Sequence, residues 1–240
     1  PLSRYYYFTE AQLERKKGNL DKAIKHLNKA IEIDPESLYM KRELAILYLQ
    51  LKDSDKALII FKKILEKNPD NVQTLILYGK LNQSLKHVDD AKAAYEKVVS
   101  IDPKQENIFM LLGDLYMQED NLDKALKTYK QLIQNFPESH VGHFFIGKIY
   151  AAQGKAVEAE KEFKNTLILN PNLEEPHFEL IKLYKSQGKK KKTIQLYKEF
   201  LKKDPQNVRT ALELGYYYHE LGMKEDAEKL AAEDLHELMR

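Results

Sequence analysis

The sequence predicts an all-α protein, a solenoid of antiparallel helix hairpins, and three observations predict it. Six of the eight prolines, Pro35, Pro69, Pro103, Pro137, Pro171 and Pro205, each stand 34 residues beyond the one before. A column of small residues keeps the same step: Ala11, Ala45, Gly79, Gly113, Gly147, then Ile181, then Gly215. So does a column of aromatics, Phe61, Tyr95, Tyr129, Phe163 and Tyr197, flanked by Leu27 and Ala231. A fixed period of this length marks a repeat architecture, in which each unit buries its apolar face on its neighbours.

Each repeat reads as helix, turn, helix, stop. The small-residue column falls in the first helix, because two helices approach closely only where side chains are short. The aromatics of the second helix fill the gaps beside that crossing and supply much of the buried area. A tyrosine column, Tyr48, Tyr116, Tyr150, Tyr184 and Tyr218, is broken by Glu14 and Asn82. Between the helices Gly18, Gly154, Gly188 and Gly222 mark the turn. Asp21, Asp55, Asp89 and Asp123 then open the second helix, where the helix dipole favours a negative charge. That helix packs through Ala23, Ala57, Ala91, Ala125, Ala159 and Ala227, with Thr193 in the sixth slot. The recurrent proline lacks an N–H and ends it. Ser37, Asn71, Ser139 and Asn207 follow as N-caps for the next first helix.

Composition narrows the function. Lys and Arg total 39 against 37 Asp and Glu, a net charge of +2, without the basic excess of a nucleic-acid binder. The chain has no cysteine, so disulfides and thiolate metal sites are excluded. No apolar run reaches the roughly 18–20 residues that span a bilayer. The chain begins at Pro1 rather than methionine, which predicts a processed or trimmed fragment whose signal or anchor would lie outside it. Cytoplasmic and periplasmic settings are both compatible.

The columns of small residue, aromatic, alanine, aromatic and proline resemble the tetratricopeptide repeat family. The resemblance runs over residues 4–240 as one domain of seven repeats that begin at Arg4, Leu38, Val72, Glu106, His140, Glu174 and Val208. It implies a right-handed α-solenoid, a superhelix of antiparallel hairpins. Two departures stand out. Ile181 and Thr193 occupy both small sites of the sixth repeat, which predicts a wider hairpin. In the seventh, Ala231 and Asp234 break the pattern, as either a polar end cap or a stack that continues.

In this family the first helices line a concave groove, so the resemblance implies a site at first-helix positions left free by hairpin packing. At the second position these are Tyr5 and Tyr39, and at the fifth Phe8, Arg42, Ile76, Met110, Phe144 and Phe178. The ninth and twelfth positions add Ile46, Lys80, Lys148, Lys182 and Lys185. Such a groove suits a protein or peptide segment with apolar anchors and some acidic residues. Part of Phe144 and Phe178 is also expected to pack on neighbouring helices. Family members that clamp a chaperone's C-terminal carboxylate carry lysine at the fifth position. No repeat here does, and the sixth position reads Thr9, Glu43, Leu77, Leu111, Phe145, Glu179 and Glu213, so no carboxylate clamp is expected.

The remaining features carry little chemistry. There is no phosphate loop, dinucleotide fingerprint or zinc-protease motif, so neither catalysis nor a cofactor is expected. His140, His143 and His177 fall where a weak metal site is conceivable, against the plainer reading of surface or packing histidines. Lys189–Lys192 form a basic run at a hairpin turn, read first as solvated and second as a phosphate or acidic-lipid patch. The glycosylation sequon Asn82-Gln83-Ser84 lies inside an expected helix. The leading function is a protein-interaction scaffold. The alternatives are a regulatory or assembly region of a larger enzyme or secretion machine and, last, an RNA or polysaccharide binder.

Overall fold

In the computed structural model, residues 3–238 are described, with side chains through residue 232. Asp234 and His236 therefore lie outside the described side chains. Fourteen α-helices and no strands are found among the described residues. The architecture is a helix-hairpin repeat of the solenoid type, and the chain divides into two compact units, residues 1–135 and 136–240.

The first unit holds four hairpins: α1 (Arg4–Lys16) with α2 (Leu20–Ile33), α3 (Leu38–Gln50) with α4 (Ser54–Lys67), α5 (Val72–Ser84) with α6 (Val88–Ile101), and α7 (Glu106–Gln118) with α8 (Leu122–Asn135). The second holds three: α9 (His140–Ala152) with α10 (Ala156–Leu169), α11 (Glu174–Ser186) with α12 (Lys190–Lys203), and α13 (Val208–Glu220) with α14 (Lys224–Leu238).

Local chemistry sets these boundaries. Ser3, Ser37, Asn71 and Asn207 cap first helices by accepting the N–H groups of Tyr6, Met40, Thr74 and Thr210. Ser139 departs from the expectation. It occupies the cap position of α9, yet its side chain makes no capping bond and its Oγ is buried without a partner. Each turn places one residue in the left-handed region. Gly18, Gly154, Gly188 and Gly222 do so with φ between 65 and 81°, and Lys52, Lys86 and Asp120 take the same place at 61, 62 and 56°.

The core forms where the small and aromatic columns meet. Phe61, Tyr95, Tyr129, Phe163 and Tyr197 are all buried, as are Ala23, Ala57, Ala91, Ala125 and Ala159. A Cβ on Gly79, Gly113 or Gly147 would stand 2.5, 2.5 or 2.7 Å from the ring of Tyr95, Tyr129 or Phe163. At the α11–α12 crossing the larger Ile181 and Thr193 are both buried. The polar breaks in the tyrosine column are buried and satisfied. Glu14 accepts from Lys17 Nζ and Asn19 Nδ2 at 2.8 Å each, and Asn82 Nδ2 donates to the Tyr78 carbonyl at 2.9 Å. Asn82 is thus closed off inside α5, away from any sugar-transferring enzyme.

Candidate functional site

The capping of α3 by Ser37 fixes how Tyr39 leaves that helix, and Tyr39 meets α1. The Phe8 and Tyr39 ring centroids are 5.6 Å apart, with planes at 56°. Tyr5, Phe8, Tyr39 and Met40, with Arg4, Asp34 and Ser37, line a cavity of about 360 Å³. Arg4 closes one side. Its guanidinium pairs with Asp34, donates to Tyr5 Oη at 2.9 Å and lies 4.8 Å from the Tyr5 ring centroid. Three of the sequence-derived residues therefore converge on one aromatic-walled pocket.

Elsewhere on the first unit the first-helix face is internally braced. Arg15 pairs with Glu43 at 2.9 Å, and Gln12 donates to the same carboxylate at 3.5 Å. Arg42 Nη1 donates to Asn71 Oδ1 at 3.4 Å, and so leans on the cap of α5. Tyr95 Oη passes Gly79 to donate to Gln83 Oε1 at 2.8 Å, and Tyr129 Oη passes Gly113 to donate to Asp114 Oδ1 at 2.7 Å. Burial pushes the Tyr95 phenol up to about 12 and, with the Asp114 charge, Tyr129 further still, so both stay proton donors at neutral pH. Ile46, Ile76 and Met110 are half-buried, and Lys80 is exposed.

On the second unit the expected anchors are largely occupied. Phe144 lies 5.5 Å from Phe145 and 6.1 Å from Phe163 between centroids. Phe178 meets Phe200 edge-on at 5.8 Å, and the Arg209 guanidinium covers its face at 4.1 Å. Lys148 Nζ rests over Phe144 and Phe145 at 5.6 and 5.7 Å. Lys185 Nζ lies 4.6 Å from the Tyr217 centroid and 3.4 Å from Glu220. Lys182 is exposed, with no ion-pair partner among the described residues.

The fifth-position column is thus half-buried from Phe8 through Phe178. In two cases a second-position residue of the following repeat covers the ring: Tyr39 covers Phe8 and Arg209 covers Phe178. The column emerges only at Leu212. On α13, Val208, Leu212 and Tyr216 are 62, 56 and 69% exposed and, four residues apart, form one apolar ridge. The sequence-derived site omitted this ridge. The signal was available, because the fifth and ninth columns run on to Leu212 and Tyr216.

The histidines do not converge. His143 Nδ1 is bound to Glu162 Oε2 at 2.6 Å. His177 is buried, stacks on Phe200 at 4.5 Å and donates from Nδ1 to the Leu173 carbonyl at 2.8 Å. No group of three His, Asp or Glu side chains is placed to hold a metal among the described residues. No helix is long and apolar enough to cross a membrane among them.

A sequence profile described as Tetratricopeptide repeat matches residues 14–81 and 84–143, and a second of the same description matches residues 196–229. No curated protein matches the chain. Among solved structures, the C-terminal part of a TPR repeat-containing protein from Cytophaga hutchinsonii is similar at a TM-score of 0.73 and 20% identity, over 95% of this chain and 94% of that one. The pilF protein of Pseudomonas aeruginosa gives 0.58 at 17% identity, over 92% of this chain and 97% of that one. MamA gives 0.59 at 23% identity, over 70% of this chain and 92% of its own. At these identities the likenesses show the fold.

Proposed function

The chain belongs to the tetratricopeptide repeat family, and from that premise we propose that it is a protein-interaction scaffold, without catalysis of its own, whose first-helix faces hold a segment of a partner. The observation that carries this reading is the pocket walled by Tyr5, Phe8 and Tyr39, since large aromatics around a preformed cavity are what binding hot spots use. An apolar anchor of the partner seats there. The rest of the proposed face, Arg42, Ile46, Ile76, Lys80, Met110, Phe144, Lys148, Phe178, Lys182 and Lys185, supplies shallower contacts and positive charge for acidic residues of the segment. Leu212 and Tyr216 join it as a second apolar contact.

A carboxylate clamp is disfavoured by charge. Glu43 and Glu213 occupy the sixth position, where a clamp needs donors, and both already accept bonds from within the protein. The test is affinity capture with the wild type beside Tyr5→Ala/Tyr39→Ala and Leu212→Ala/Tyr216→Ala variants. Proteins lost from a variant whose melting is unchanged support the face. An identical set of captured proteins on all three overturns it.

A further inference from the structure

The second helices of the second unit carry a different surface. Val157 and Ile168 of α10 are 79 and 78% exposed, the two most exposed large apolar side chains among the described residues. They lie three helical turns apart on one stripe, which also carries the exposed Lys161 and Lys164. One repeat further on, the same stripe of α12 reads Lys191, Gln195, Lys198 and Lys202, all exposed. Leu196 of α12 packs on the cluster that Ala159 and Phe163 of α10 form with Leu180 and Leu183 of α11, and the two stripes hold the same repeat positions. The run Lys189–Lys192 extends the charge at the start of α12, while the exposed Glu158 and Glu199 border it.

This charge opposes the local preference of the helix. The first turns of α2, α4, α6, α8, α10 and α14 each contain an acidic residue, whereas that of α12 has none and carries three lysines instead. Lysines there face the positive end of the dipole, so they weaken the helix. A local choice made against the fold, on a surface, fits a binding demand.

We propose that α10 and α12 form a docking surface for an anionic lipid bilayer, with Val157 and Ile168 entering the headgroup region and the lysines meeting lipid phosphates and carboxylates. The two aliphatic residues are roughly 16 Å apart along the helix at 1.5 Å per residue, with lysines between them. A protein partner seeks a contiguous apolar centre. A bilayer instead accepts separated insertion points set in positive charge. No aromatic or arginine side chain lies on either stripe to stack on a base, which sets nucleic acid aside. The surface is made of second helices and does not depend on the proposed first-helix site.

The test is co-sedimentation of the full chain with vesicles of phosphatidylcholine alone and of phosphatidylcholine mixed with phosphatidylserine. Binding is expected only to the mixed vesicles and is expected to weaken with added salt. Lys191→Gln/Lys198→Gln/Lys202→Gln should lower affinity by about fivefold per lysine, on the order of a hundredfold together. Val157→Ser/Ile168→Ser, which leaves the charge unchanged, should lower it as well. All five sites are exposed, so circular dichroism should be unaltered. Equal sedimentation with both vesicles, or wild-type affinity in the triple variant, overturns the proposal. So does full binding by the Val157/Ile168 variant combined with competition by a single-stranded oligonucleotide, which would mark a general polyanion site.

Discussion

The Tyr129 ring lies so close to Gly113 that a Cβ on the glycine would stand 2.5 Å from Tyr129 Cζ. The second helix pushes its aromatic through the gap that the missing side chain leaves, and the phenol reaches Asp114 on the far side. Gly113→Ala should therefore cost about 1–3 kcal/mol, the usual penalty for overpacking. Gly215 holds the same column position, yet the nearest atom to its Cβ would be Leu230 Cδ2 at 3.9 Å. Gly215→Ala should gain about 0.5–1 kcal/mol from the better helix former. Urea midpoints of the two variants moving in the same direction would show that the column is not set by the crossing.

The turns give a second contrast. Gly154 has φ +72°, and nothing lies within 4 Å of the place a Cβ would take, so Gly154→Ala meets strain but no clash and should lose roughly 1 kcal/mol. Lys86 adopts φ +62° at the equivalent place and already bears that strain. Lys86→Gly should raise stability, by less than about 1 kcal/mol because glycine also loosens the unfolded chain. Thermal melting of both variants decides it.

Phe178 and Tyr39 separate packing from binding. Phe178 is enclosed by Phe200 and by the Arg209 guanidinium. Phe178→Asp should therefore destabilise the second unit by roughly 2–4 kcal/mol, as well as altering the surface. Tyr39 is exposed and touches Phe8 on one side only, so Tyr39→Ala should cost about 1 kcal/mol or less while weakening partner binding. A melting temperature for Phe178→Asp at the wild-type value would mean that this ring is a free anchor after all.

This difference marks how far the sequence could be read. Hairpins, turns and helix ends were legible because proline, glycine and the cap residues act locally and recur in register. The face was less so. Whether Phe8 and Phe178 are free depends on Tyr39 and Arg209 of the next repeat, a relation visible only once helices are stacked. Arg209 over Phe178 is that case, and Ser139, which holds a cap position without capping, shows the same limit at the scale of one turn.

His177 should couple stability of the second unit to pH. Burial lowers its pKa from the ordinary 6.5, with Lys203 acting in the same direction and the Leu173 carbonyl, Glu199 and Glu174 against it. The folded side chain resists a proton that the unfolded chain accepts, so its contribution is complete above about pH 6.5 and is lost as pH falls towards the folded value. His177→Phe keeps a ring against Phe200 and gives up the bond to Leu173, a loss of about 1 kcal/mol that does not vary with pH. The wild-type urea midpoint should consequently fall more steeply than the variant's on acidification below that value. Parallel midpoints across the same range would mean that the buried imidazole takes up its proton without cost, and that the stack against Phe200 is looser than the 4.5 Å separation implies.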